Sequence, residues 1–278
     1  MNEALPGERQ REILRRLNDS GRVLAAELAT EFAVSEDSIR RDLRELAALG
    51  LCRRVYGGAL SIGPDLSPLS VRHKHQTESK QLLAQKAASL VRAGQSLLID
   101  AGSTNSALAD ALPEGLGLTV ITTAPDIAQR LVERDGFAIL LIGGRIDRRV
   151  GAAVGAQTVL DISRIRADLC FPGTCAIDPK TGVWGVDSEE SLIKRAMIEN
   201  SGETAIVVTA DKFGAAATHH IASVSQIDHL VVGHDVDAAI CAAFEAQSVT
   251  VHRADAPAGS QSQAFARDSA QPRNKTRA

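Results

Sequence analysis

Aromatic side chains are scarce, at 3% of the chain. Proteins that grip single-stranded nucleic acid stack its bases on such rings, so this composition argues against that class. The four cysteines, Cys52, Cys170, Cys175 and Cys241, form no C-x-x-C pair and no zinc-ligand spacing. They read as reduced, mostly buried thiols in a cytosolic protein. No apolar run approaches the roughly 20 residues that cross a bilayer. No basic stretch precedes an apolar segment at the N-terminus, so neither a membrane anchor nor a secretory signal is expected. Excess charge is lacking too: the formal net charge is only −3. Any contact with DNA must therefore come from a local basic patch.

What is present divides into parts. The 278 residues suit one small and one larger domain. Residues 1–60 are rich in helix formers. Ile13, Leu14 and Leu17 lie at helical spacing, and Gly21 is placed to stop that helix. A short amphipathic run, 24–32, precedes a third run that Gly50 ends. Residues 51–60 carry β-formers and Gly57-Gly58, the pattern of a small hairpin. Residues 61–77, with Gly63, Pro64 and Pro68, read as a linker. From 78 to 252 the pattern alternates. A helix over about 78–91 comes first. Strands are expected at 96–100, 118–123, 138–142, 168–171, 204–209, 229–232 and 248–251, with helices between them. That alternation predicts a largely parallel α/β sheet covered on both faces. Residues 253–278 have few large apolar side chains, and a disordered tail is expected there.

The third N-terminal run has the most specific pattern. Ser35 suits an N-cap, and Glu36 and Asp37 favour the positive end of a helix dipole. Ile39, Leu43 and Leu46 define one buried stripe. Asp37, Ser38, Arg41 and Arg44 fall opposite it, with Arg40 on the flank. Arg53, Arg54 and Tyr56 follow where a wing would lie. Residues 1–60 hold ten arginines and ten carboxylates, so this domain is neutral. Residues 40–54 hold five arginines against Asp42 and Glu45, a net of +3. Positive charge is thus concentrated where a phosphate backbone would pass, and an exposed arginine can also bind guanine bidentately. A helical bundle with a merely solvated charged face is the competing reading; the order helix, short turn, helix, basic hairpin favours a winged helix-turn-helix.

In the second domain, Asp100, Gly102, Ser103 and Thr104 stand between a predicted strand and a predicted helix. Backbone N–H groups there, with glycine and hydroxyls, suit an oxyanion. The same loop is also an ordinary strand-to-helix turn. Other strand ends carry compatible groups: Thr122 and Thr123; Gly143, Gly144 and Arg145; Asp211 and Lys212. Ligands of open parallel sheets bind beyond the carboxyl ends of strands, so a small polyhydroxylated anion is expected. Glu190 and Lys194 are either part of this site or an i,i+4 ion pair on a solvated face. His219 and His220 read as surface or edge residues. No metal, cofactor or catalytic residue is assigned.

Arg11-Glu12-Ile13-Leu14, Glu27-Leu28-Ala29, the run from Val34-Ser35 through Ser38-Ile39-Arg40-Arg41-Asp42-Leu43 to Leu46, and Arg53-Arg54-Val55-Tyr56-Gly57-Gly58-Ala59 together resemble the DeoR family of bacterial regulators. The family's usual threonine is Ser38 here, and its usual histidine is Tyr56. The resemblance continues through Glu78-x-Lys80, Asp100-Ala101-Gly102-Ser103-Thr104, Thr119-Val120-Ile121-Thr122, Gly143-Gly144, the segment from Gly185 to Lys194-Arg195-Ala196-Met197, and Asp211-Lys212-Phe213-Gly214. It implies a winged helix-turn-helix domain followed by an α/β domain similar to the ribose-5-phosphate isomerase and CoA-transferase fold. It also implies a cytoplasmic, homo-oligomeric repressor, a dimer or tetramer. Such a protein binds double-stranded operator DNA, and a phosphorylated sugar switches its DNA affinity.

Two other functions compete with a ligand-gated repressor. An enzyme resembling a sugar-phosphate isomerase, with an appended DNA-binding domain, would need a placed general base and a group that polarises the carbonyl. Asp100, Asp187 and Glu190 are loose candidates, and that reading leaves the N-terminal domain unexplained. A protein-interaction adaptor leaves the strand-end residues unexplained.

Overall fold

A computed structural model describes residues 6–20, 22–48, 51–61, 68–75, 77–215 and 217–256. The expected helix stops at Gly21 and Gly50, the linker residues Gly63 and Pro64, and the tail from 257 onward lie outside the described residues.

The N-terminal unit comprises α1 (Pro6–Ser20), β1 (Arg22–Leu24), α2 (Ala25–Glu31), α3 (Glu36–Ala48), β2 (Cys52–Val55) and β3 (Gly58–Ser61). Ile13 and Leu17 of α1, Leu28 of α2 and the Ile39–Leu43–Leu46 stripe of α3 meet in one buried cluster, with Cys52 and Ala59 from the hairpin. The Ser35 hydroxyl accepts the Ser38 N–H at 3.2 Å and caps α3. The strand β1 was not expected, since three residues show too little alternation to stand out. It pairs antiparallel with β3 and makes a three-stranded sheet of order β1-β3-β2. A Cβ at position 58 would lie 2.0 Å from the Val23 carbonyl oxygen, so Gly58 permits this closure.

Within the expected linker lies α4 (Leu69–Arg72), a single turn too short to show periodicity. The Leu69 N–H donates to the Arg149 carbonyl at 3.2 Å, and Leu69 is buried. The chain continues as α5 (Thr77–Ala88), β4 (Ser96–Ile99), α6 (Ser103–Ala111), β5 (Leu118–Thr122), α7 (Pro125–Val132), β6 (Phe137–Leu141), β7 (Arg145–Asp147), β8 (Ala152–Val154) and α8 (Ala156–Ser163). It ends with β9 (Ala167–Phe171), β10 (Ala176–Asp178), β11 (Gly182–Gly185), α9 (Ser188–Glu199), β12 (Ser201–Val208), β13 (His219–Ala222), β14 (His229–Val232), α10 (Ala238–Glu245) and β15 (Thr250–Arg253).

Seven strands form one parallel sheet, in the order β15-β14-β12-β9-β4-β5-β6. All seven were expected from their short apolar runs. Successive side chains point to opposite faces, and each face needs cover. Leu97, Ile99, Ala205 and Val207 accordingly join a cluster with Leu83 and Ala87 of α5 and Leu108 of α6. Leu98, Ile206 and Val208 join another with Ile193 and Met197 of α9 and Phe244 of α10. The hairpin β7–β8 and the small sheet β10-β11-β13 are additions of three- and four-residue strands. His219 and His220 lie on β13, an edge of that small sheet.

The strand order places the site. From β4 the chain runs outward on one side through β5 and β6. It then returns to β9 on the other side of β4 and continues outward to β12, β14 and β15. The topological switch point is therefore between β4 and β9, where open parallel sheets leave a crevice beyond the carboxyl ends.

Candidate functional site: a DNA-facing helix and a cavity at the switch point

Ser35, just ahead of α3, and Asp37, Ser38, Arg41 and Arg44 on it border one shallow groove, together with Arg9, Asp42 and Glu45. Arg40 is turned along the helix toward Glu36, at 2.7 Å, and Asp37, at 3.6 Å. Arg41 is exposed and makes no hydrogen bond or ion pair among the described residues. Arg44 is exposed, its Nε donating to the Arg40 carbonyl at 3.3 Å. Tyr56 stands fully exposed at the hairpin tip, and Arg54 is exposed beside it. Arg53 differs: its guanidinium donates to the Phe213 carbonyl of the α/β domain at 3.3 Å.

Sequence reasoning missed how α1 supports this helix. Arg9 Nε lies 2.6 Å from Asp42 Oδ2, and both side chains are buried. Gln10 Nε2 donates to Asp42 Oδ1 at 3.3 Å and to Glu45 Oε2 at 2.7 Å. The signal was available: Ile39, Asp42, Leu43 and Leu46 follow the i, i+3, i+4, i+7 pattern of a buried stripe. A carboxylate inside that stripe demands a buried partner. Arg9 thus neutralises Asp42, while Glu45 stays exposed and borders the same groove as Arg41 and Arg44.

In the α/β domain, a cavity of about 100 Å³ lies at the β4/β9 switch point. Its floor is the loop leaving β4 and the start of α6. Gly102 takes φ +143° ahead of α6, a region that favours glycine, and the helix opens with Ser103 and Thr104. Both residues line the cavity at the positive end of the helix dipole. Asn105 fixes this loop by donating to the carbonyls of Asp100, at 3.0 Å, and Phe171, at 2.8 Å. The opposite wall is Gly173, Thr174 and Cys175, just past β9. Position 173 must be glycine because a Cβ would meet the Ala101 carbonyl oxygen at 2.7 Å and Asp100 Oδ2 at 2.8 Å.

Beneath the cavity, Lys194 Nζ lies 3.1 Å from Asp100 Oδ2 and 2.5 Å from Glu190 Oε1. Lys194 is only 2% exposed, so the Glu190–Lys194 pair is not on a solvated face. Asp100 is completed by the N–H groups of Ala101 and Gly173, each at 2.8 Å. Burial alone would lower the Lys194 pKa; the carboxylates of Asp100 and Glu190 outweigh it and hold it above its ordinary value. Burial would likewise raise Glu190, but Lys194 and then Arg149 hold it below the usual range. Asp211 is also depressed, with Lys212 and the Thr209 hydroxyl outweighing burial. Lys212 stands 2.9 Å from Asp211.

The cavity lining also includes Arg72, Lys80 and Lys212 against Glu190 and Asp211. Lys80 Nζ is anchored on the carbonyls of Arg72 and His75, at 2.7 and 2.6 Å. The Thr174 hydroxyl oxygen is buried with no hydrogen-bond partner among the described residues. An environment of N–H groups, hydroxyls and cations around one unpartnered hydroxyl suits a small anion that also bears hydroxyls.

Of the residues expected at an effector site, Gly102, Ser103, Thr104, Glu190 and Lys212 line this cavity, and Asp100 and Lys194 lie directly beneath it. Thr122, Thr123, Gly143, Gly144 and Arg145 lie elsewhere, at the ends of β5 and β6. Thr122 accepts the Ala124 N–H at 3.1 Å. The Thr123 carbonyl accepts the Ala153 N–H of β8 at 2.8 Å, so β8 runs over that strand end. Arg145 pairs with Glu189 at 2.5 Å.

Fold and site thus define a winged helix-turn-helix reader joined to a parallel α/β domain that carries an anion-compatible cavity. The DeoR-like helix-turn-helix domain matches residues 9–64, and the DeoR C terminal sensor domain matches residues 75–234. The chain belongs to the DeoR family of transcription regulators. It is 36% identical over 222 residues to the glycerol-3-phosphate regulon repressor of Escherichia coli K12, covering 80% of this chain and 88% of that protein. It is 31% identical over 250 residues to the HTH-type transcriptional regulator GlpR of Haloferax volcanii, covering 89% and 97%. Among solved structures, ribose 5-phosphate isomerase A from Methanocaldococcus jannaschii matches 49% of this chain and 54% of that chain, with a TM-score of 0.34 and 15% identity. The protein is a DNA-binding transcriptional repressor and not an enzyme. No helix among the described residues is long and apolar enough to cross a membrane.

Proposed function

We propose that this repressor controls a carbohydrate-metabolism operon and that a small phosphorylated polyol or sugar, bound at the β4/β9 switch point, changes its affinity for operator DNA. The cavity carries this reading. Its helix N-terminus, hydroxyls and cations suit a phosphate, and the unpartnered Thr174 hydroxyl suits a ligand hydroxyl. Its volume of about 100 Å³ is well below the ~300–1,000 Å³ of sites for larger ligands, which favours a three-carbon phosphate over a hexose phosphate or a nucleotide. Glycerol 3-phosphate is the first candidate, since it fits that size and names the regulon of a similar repressor. The DNA side rests on Arg41, Arg44 and Arg54, with Ser35, Asp37, Ser38, Arg40 and Tyr56 bordering the contact. The protein works in the cytoplasm as a homo-oligomer, a dimer or tetramer, reading half-sites one helical turn apart.

The test is a titration of operator duplex, selected by the protein from random sequences, with and without glycerol 3-phosphate. A ligand-dependent shift in operator affinity is expected in the wild type and is lost in Ser103→Ala. If no triose or sugar phosphate alters DNA affinity, the effector reading is wrong.

A further inference from the structure

The cavity is not lined by the α/β domain alone. Arg22 and Leu60, both from the DNA-binding unit, are part of its lining. Their placement is not accidental to one side chain. Arg22 of β1 lies opposite Leu60 of β3, and Leu60 lies opposite Arg53 of β2. Residues directly opposite across an antiparallel ladder project to the same face of the sheet. Arg53, Leu60 and Arg22 therefore form one transverse row across the wing sheet. One end of that row docks on the Phe213 carbonyl, just past the Asp211-Lys212 turn, and the other end reaches the cavity. The neighbouring row turns inward instead: Val23 and Ala59 are buried in the N-terminal core. The row that faces the cavity brings a guanidinium to a site already suited to an anion.

We propose that Arg22 is an effector-binding residue supplied by the DNA-binding unit, so that the phosphorylated ligand is held by both halves of the molecule at once. This rests on the reading of the cavity as the effector site. A guanidinium offers a planar fork of donors matched to phosphate oxygens, which a lysine ammonium does not reproduce. A ligand held by both units binds differently when the units move apart. By linkage, it then changes the affinity of the DNA-binding unit by the same factor as operator DNA changes its own affinity. The assignment places the coupling in direct contact with the ligand, without a relay through the sheet.

The experiment uses the full chain and two probes, glycerol 3-phosphate and inorganic phosphate, in calorimetric titrations of the wild type, Arg22→Gln, Arg22→Lys and Ser103→Ala. Loss of one charged hydrogen-bond donor set is expected to weaken glycerol 3-phosphate binding roughly tenfold in Arg22→Gln. Arg22→Lys should be weakened less, because it keeps the charge without the fork. The ratio of operator affinities with and without ligand should fall toward one in Arg22→Gln. Because Arg22 is exposed, folding of the variants is checked by their melting curves, and Arg22→Lys decides the matter if Arg22→Gln melts early. If Ser103→Ala loses binding while both Arg22 variants bind as the wild type does, the cavity is the effector site and the Arg22 assignment is overturned. If the wild type binds neither probe, both the cavity reading and the assignment that rests on it are overturned.

Discussion

Lys194 Nζ and Asp100 Oδ2 lie 3.1 Å apart, with both side chains almost fully buried, and this contact ties α9 to the carboxyl end of β4. Glu190 completes the cluster from one turn earlier on the same helix. Asp100, buried beneath the cavity, and Glu190, which lines it, thus share one ammonium. The ammonium cannot be removed without leaving both negative charges in a poorly hydrated site. Lys194→Met is therefore expected to destabilise the α/β domain by about 3–5 kcal/mol. Urea denaturation followed by circular dichroism measures this. A change below about 1 kcal/mol would show that the cluster is solvated in the protein.

Two carboxylates that line the cavity set an acid limit. Glu190 and Asp211 have folded pKa values below their ordinary values of 4.5 and 3.8. Below those values the unfolded chain holds more protons on these groups than the folded chain does. The stability they contribute is complete above the ordinary values and is lost as pH falls through the depressed ones. The urea midpoint should thus stay level with respect to these groups between pH 7 and 5 and fall below about 4.5. Glu190→Gln should flatten that fall, and an identical acid limb in this variant would remove Glu190 from the account.

Thr174 separates ligand binding from stability. Its hydroxyl oxygen is buried at the cavity wall and has no hydrogen-bond partner among the described residues. Replacing such a group with an isosteric methyl is nearly neutral or stabilising. Thr174→Val should leave the melting temperature unchanged or raise it, while weakening glycerol 3-phosphate binding. A melting temperature lowered by several degrees would mean that the hydroxyl has a structural partner.

The seven sheet strands were legible because each is a short apolar run between turn residues, and a parallel sheet buried on both faces needs such runs. The order of the strands was not legible, because pairing is decided by contacts remote in sequence. For that reason the ends of β5 and β6, with Thr122, Thr123, Gly143, Gly144 and Arg145, were grouped with the Asp100 loop. They share the chemistry of strand ends but lie on the other side of β4 from the switch point, where β8 runs over Thr123. The Glu190–Lys194 spacing was ambiguous for a related reason. An i,i+4 pair looks the same on either face of a helix, and only packing shows that this one faces inward. Arg53 and Arg54 also look equivalent in the sequence, although adjacent strand residues must point to opposite faces.

Asp42 shows how a supporting residue can pass for a surface charge. It is buried against Arg9, and the pair fixes α1 across the inner side of α3. Asp42→Ala removes the buried carboxylate that Arg9 Nε meets at 2.6 Å in the core of a small domain. A loss of about 3–5 kcal/mol is expected, enough to unfold a unit of this size. Limited proteolysis should then cleave within residues 6–61 while the α/β domain stays intact, and operator binding should disappear. Uniform resistance to protease together with normal operator binding would show that the pair is dispensable.

The two wing arginines should separate in a salt titration. Each phosphate neutralised by a side chain contributes about −0.9 to the slope of log affinity against log salt for duplex DNA. Arg54 is exposed beside the hairpin tip, whereas Arg53 donates to the Phe213 carbonyl of the neighbouring domain. Arg54→Ala should therefore reduce the slope by about one unit, equally for operator and unrelated duplexes, as expected of a phosphate contact. Arg53→Ala should leave the slope unchanged. Arg41, exposed on the outer face of α3, should behave in a third way. Arg41→Ala should cost about 1–3 kcal/mol on the operator and relax preference at one base pair, as loss of a guanine contact would. Fluorescence anisotropy across a salt series gives all three. Equal slope changes for Arg53→Ala and Arg54→Ala would show that Arg53 leaves Phe213 when DNA binds, so that the wing sheet undocks from the cavity in the operator complex.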